Sequence, residues 1–77
     1  MKMNAYSVYD QAANAYLTPF FVQTDAMAQR SLSDAVQTEG HQFQKHAQDY
    51  TLFRIGVFDD QTGEIEPETP KKICGAW

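Results

Sequence analysis

The stretch Tyr50-Thr51-Leu52-Phe53-Arg54-Ile55-Gly56-Val57-Phe58, running into Asp59-Asp60-Gln61-Thr62-Gly63, decides the fold. Aromatic and β-branched residues in one uninterrupted run predict a strand, and strong apolar content on both faces predicts a central one. Simple alternation puts Thr51, Phe53, Ile55 and Val57 on one face and Tyr50, Leu52, Arg54, Gly56 and Phe58 on the other. The segment after it is a hairpin turn, with Gly63 at the left-handed position. Glu64-Ile65-Glu66 begins a short, charged strand of the kind suited to a sheet edge. Pro67 to Trp77 holds two prolines and Lys71-Lys72, and reads as an irregular tail. The expected organisation is one domain over residues 1–66 and a tail over 67–77.

Toward the N-terminus, His41 to Asp49 is polar apart from Phe43 and predicts a loop with room for a short helical turn. Asp25 to about Gln37 is built of good helix formers. Thr24 or Asp25 supplies the N-cap, and Gly40 lies at or just past the helix end. Ala28, Leu32, Ala35 and Val36 share one face, while Arg30, Ser33, Asp34 and Gln37 point elsewhere. Met3 to Tyr9 alternates between Tyr6/Val8 and Ala5/Ser7/Tyr9 and predicts a strand. Asp10 to Asn14 has hairpin-loop length, and Ala15 to Val22 predicts a second strand pairing back on the first. Pro19 cannot donate a ladder hydrogen bond, so that strand belongs at an edge or carries a bulge at Pro19.

The pattern is therefore ββαββ, an α+β domain with a four-stranded antiparallel sheet and one helix packed on one face. The spatial order 2-1-3-4 puts both interruption-free strands inside. The alternative 2-1-4-3 would bury the strand holding Glu64 and Glu66.

A chain of 77 residues makes one domain with a thin core, so support from a partner or a second copy is expected. The apolar fraction of 43%, with four tyrosines, five phenylalanines and one tryptophan, is that of a folded chain. Ten acids against six bases give a net charge of −4, which opposes sequence-blind binding to a phosphate backbone over the whole surface. A lone Cys74 makes no internal disulfide and no zinc site, and fits a reducing compartment. Met1 to Tyr6 has no long apolar core, and no segment approaches the ~20 apolar residues of a membrane span. A cytoplasmic protein without a membrane partner is expected.

The residues do not assemble into catalytic machinery. His41 and His46, with Asp49 and Glu39 nearby, are residue types a metal site could use, but a spacing of five does not put both imidazoles on one helical face and no thiolate lies close in sequence, so surface-loop histidines are expected. Asp59, Asp60 and Glu64 resemble a carboxylate cluster, but a hairpin tip open to water forms no catalytic pocket, and turn chemistry accounts for both aspartates. Ser7, Ser31 and Ser33 have no nucleophile elbow around them, and no glycine-rich phosphate loop exists. The expectation is a non-enzyme with no cofactor and no metal.

The aromatic residues are many for so small a sheet. Part fill the core under the helix. The rest belong on the uncovered face, where Tyr6, Tyr50, Leu52 and Phe58 are expected to form a contact patch. Such a patch marks a protein interface or a base-stacking platform. Stacking platforms usually come with a basic groove. Outside the helix the cations are only Lys2, Lys45, Arg54, Lys71 and Lys72, so the protein interface is preferred, with self-association into a dimer as its simplest form. Ile73 and Trp77 either pack on the domain or enter a partner's groove.

Several features occur together in fixed order: Val8-Tyr9-Asp10 leading to Tyr16; Pro19-Phe20-Phe21; Arg30 with Asp34; Lys45-His46 before Asp49-Tyr50-Thr51-Leu52-Phe53; Gly56; Phe58-Asp59-Asp60-Gln61-Thr62-Gly63; and Thr69-Pro70-Lys71. In these the chain resembles the small non-structural protein of gokushoviruses, the single-stranded DNA bacteriophages of the Microviridae. The resemblance spans nearly the whole chain and is most specific from Asp49 to Gly63. Ala47 stands where a proline is common in that family, and the tail after Lys72 has no counterpart in the pattern.

The resemblance implies a phage protein made in the cytoplasm of an infected bacterium and absent from the mature capsid. It implies an accessory role in single-stranded genome synthesis or packaging, with phage replication or procapsid proteins as partners. It also implies contact with single-stranded DNA as an alternative, in which case the aromatic positions with Lys45, Arg54, Lys71 and Lys72 would be the contacts. A third possibility is a host-directed interaction protein whose negative charge imitates nucleic acid.

Overall fold

The computed structural model describes residues 1–76. In chain order it holds β1 (Lys2–Asp10), β2 (Ala15–Tyr16), β3 (Phe20–Val22), α1 (Asp25–Gln37), α2 (Gln42–Lys45), a 3-10 turn (Ala47–Asp49), β4 (Tyr50–Asp59) and β5 (Ile65–Gly75). The five strands form one antiparallel sheet in the order β2-β1-β4-β5, with β3 sharing the outer edge of β1 with β2. This is the expected α+β architecture and the expected order of strands. The second strand of the sequence pattern is divided in two around Leu17–Pro19 and sits at the edge, as a proline inside it requires.

Local chemistry fixes the turns. Asp10 accepts hydrogen bonds from the backbone of Ala12 (3.0 Å) and Ala13 (3.3 Å), and Asn14 takes the left-handed conformation at φ 57°. Thr24 caps α1 by accepting from the Met27 N–H at 3.2 Å. Between β4 and β5, the Gly63 N–H donates to the Asp59 carbonyl at 2.8 Å, with Gly63 at φ 76°.

The C-terminal residues are not a tail. β5 continues through Pro67 and Pro70 to Gly75 and pairs with β4 as far as Thr51. The division at residue 66 therefore does not hold for the described residues. Two irregularities in register accommodate the strand, and residues 68–70 stand outside the paired positions. A proline is tolerated here because β5 is an edge strand. Gly56 permits a close approach of the two strands, since a Cβ there would lie 2.6 Å from the Glu66 carbonyl oxygen. Trp77 lies outside the described residues.

The core forms between α1 and the sheet. Tyr6, Val8, Tyr50 and Leu52 meet Ala28 and Leu32 of α1, and Ala76 closes the cluster beyond β5. Phe43 of α2 adds a ring 4.5 Å from that of Tyr50. Burial of Val8, Leu32 and Leu52 contributes about 1.5–3 kcal/mol each.

Candidate functional site

The two sheet faces differ in what covers them. On the helix side, Tyr6 and Leu52 are 0% exposed and Tyr50 is 5% exposed. These three were expected on the uncovered face, and the structure places them in the core. Val8 explains why. It shares the parity of Tyr6, and an apolar β-branched residue set against Ser7 marks the side that seeks the helix.

Arg54 also faces the helix side. Its guanidinium lies 3.8 Å from Asp25 and 3.2 Å from Glu68. The Nε is buried without an aligned hydrogen bond, so charge carries the contact with Glu68. Tyr6 donates its hydroxyl hydrogen bond to Asp25 at 2.5 Å and accepts one from Asn4 at 3.0 Å. Burial, reinforced by the bond to Asp25, pushes the Tyr6 phenol up to about 12. Burial also raises the Tyr50 phenol, helped by Asp10 and Asp49, and raises the Cys74 thiol.

Phe58 does reach the uncovered face, for a reason that alternation alone does not supply. Tyr6 pairs with Arg54 and Ala5 with Gly56, which leaves Ile55 as an extra residue in β4. This bulge reverses the parity of everything beyond it. Phe58 thus parts from Tyr50, Leu52 and Arg54 and joins Phe53.

The uncovered face is built of rings that arch over β1. Tyr16 on β2 and Phe53 on β4 have centroids 5.6 Å apart, and Tyr9 lies 4.9 Å from Tyr16 and 6.3 Å from Phe53. Further along β1, Phe21 on β3 meets Phe58 on β4 at 5.4 Å. Beneath these two arches lie Ala5 and Ser7, 2% and 1% exposed, small enough for the rings to close over them. Ser7 donates to the Leu17 carbonyl at 2.6 Å, so its buried hydroxyl is satisfied. The outer sides of Tyr16 (46% exposed), Phe21 (40%) and Ile65 (58%) remain open.

The cations are dispersed. Lys45 ends α2 in the helix layer, and Lys71 is in register with Arg54 toward the helix side. Lys72 is in register with Phe53 and so belongs to the aromatic side. Of the expected contact residues, the structure brings only Phe58 and Lys72 to the uncovered face, while Tyr6, Tyr50, Leu52, Arg54 and Lys71 share the helix side. Tyr9, Tyr16, Phe21 and Phe53 are the residues that alternation left unassigned to it. Among the described residues no group of three or more His, Cys, Asp or Glu is placed to hold a metal ion, and no helix is long and apolar enough to cross a membrane.

The geometry defines a small α+β domain with one helical layer and a sheet whose reverse side presents aromatic rings. Residues 3–77 match the family described as Phage ORF5 protein, and the chain belongs to that family. No curated protein and no solved structure matched it.

Proposed function

We propose that this phage protein is a non-structural, non-enzymatic accessory factor of the gokushovirus type. It acts in the cytoplasm of the infected bacterium during single-stranded DNA synthesis or packaging, through protein contacts. The observation that carries this reading is the pair of aromatic arches on the uncovered sheet face, Tyr9/Tyr16/Phe53 and Phe21/Phe58. Partly exposed rings clustered on one side are the composition of a protein-binding patch. Membership of a phage family supports the viral setting, and the resemblance described above supports the gokushovirus type and the stage of infection.

Direct binding of single-stranded DNA is the competing role for the same rings. A stacking platform works with a cationic groove along the backbone. Here Lys45, Arg54 and Lys71 belong to the opposite side, and Arg54 is engaged by Asp25 and Glu68. Titration of a fluorescent single-stranded oligonucleotide at low and moderate salt separates the two. The expected result is no saturable binding at low salt. Micromolar or tighter binding that weakens steeply with salt would overturn the proposal in favour of DNA.

A further inference from the structure

We infer that the occupant of the aromatic face is a second copy of this chain, docked face to face as a two-fold sandwich of two sheets. The inference rests on the reading of that face as a contact surface and adds what covers it.

The charge pattern favours a copy. The β1 and β4 positions facing this side, alternating from Met3 to Tyr9 and from Thr51 to Phe58, include no carboxylate. The acids that make ion pairs, Asp25 and Glu68, lie toward the helix layer, and Asp60 is at the β4–β5 turn. A face with neither an acidic nor a broad basic field attracts no strongly charged partner. It suits an equally apolar one, and a second copy presents that surface. Two chains of net charge −4 can then meet without opposing carboxylates at the contact.

The area agrees. The two longer extents of the molecule, 38 × 23 Å, give a projected area of about 870 Å², comparable to the ~800 Å² per partner of a standard stable interface. A lasting dimer uses most of such a face, and two-fold symmetry lines both sides of the contact with the same rings. Sheets packed in this way sit about 10 Å apart with strands within about 30° of each other, a spacing that interdigitated aromatic side chains fill. The sandwich also adds a second core to a domain too small to build a deep one alone.

Sedimentation velocity on the full chain, from low to high micromolar concentration, tests this. The expected mass rises toward twice 8.8 kDa. Tyr16→Glu combined with Phe21→Glu is expected to weaken dimerisation about a hundredfold or more, because each charge is buried twice. Arg30→Glu, on the exposed side of α1, is expected to leave it unchanged. Circular dichroism and a thermal melt check that each variant is folded, and the single Tyr16→Lys replaces the double variant if the latter is not.

A wild-type chain that stays monomeric, or a folded ring variant that still dimerises as tightly, would overturn the inference. A monomeric wild type whose phage partners are nevertheless lost with the same ring variant would overturn the second copy alone. It would leave the contact-face reading standing.

Discussion

Tyr16 on β2 and Phe53 on β4 hold their ring centroids 5.6 Å apart although β1 runs between their strands. Phe21 and Phe58 repeat the arrangement at 5.4 Å further along the same strand. The backbone between each pair of rings has to carry small side chains, which is the position of Ala5 and Ser7. The face is thus a structured layer of rings and not a scatter of exposed apolar residues.

Ala5→Leu is expected to force the Phe21–Phe58 arch apart. Overpacking of this kind costs about 1–3 kcal/mol. Urea unfolding checks it through a lower midpoint with an unchanged slope. An unaltered midpoint would mean that the rings do not close over this position.

The two faces are expected to respond differently to truncation. Leu52→Ala leaves a cavity under α1 and should cost about 2–5 kcal/mol. Phe21→Ala removes a ring that is 40% exposed and should cost only about 1 kcal/mol in the isolated chain. Equal losses in parallel urea titrations would show that the aromatic face is as buried as the core.

Gly56→Ala places a Cβ 2.6 Å from the Glu66 carbonyl oxygen, which is backbone and cannot swing aside. The expected loss is about 1–3 kcal/mol, comparable to other overpacking changes. Hydrogen exchange should locate it in β5, with faster exchange at Ile65 and Glu66 than in β1. Uniform protection across the sheet would speak against the close approach.

Alkaline pH tests the Tyr6–Asp25 contact. The folded phenol is raised from 10.0 to about 12, so its protonated form is favoured by folding. Between these values the unfolded chain loses a proton that the folded chain keeps, and stability falls as pH rises. The contribution is complete below pH 10 and is lost by about pH 12. Phenolate absorbance should show delayed ionisation of both Tyr6 and Tyr50, and the Tyr6 part should be missing in Tyr6→Phe, whose stability should decline less steeply over this range. Matching pH profiles for the two proteins would contradict the contact.

The helix, the two central strands and the order of strands were legible because each rests on local periodicity. Thr24 starts a helix with its apolar residues on one side, and Tyr50 to Phe58 is too apolar to sit at an edge. The identity of the open face was less accessible. Tyr6, Tyr50 and Leu52 leave the open face, and Tyr9, Tyr16, Phe21 and Phe53 form it, once Val8 is taken as the guide to the helix side. Phe58 keeps its expected face only because Ile55 bulges, and a bulge depends on pairing with Ala5 and Tyr6, about fifty positions away in the chain. β5 was obscured for a similar reason. Pro67, Pro70 and neighbouring charges suit an unpaired tail as well as an edge strand, and the deciding partner, β4, acts through tertiary pairing.

Oxidative footprinting by mass spectrometry, comparing the protein in its complexes from infected cells with the dilute purified chain, tests the central claim most directly. Tyr16, Phe21 and Phe58 are expected to be protected in the complexes, while Met27, 47% exposed on α1, stays equally reactive in both. Protection confined to Met27 and its helix, with the rings as reactive as in the dilute chain, would contradict the account.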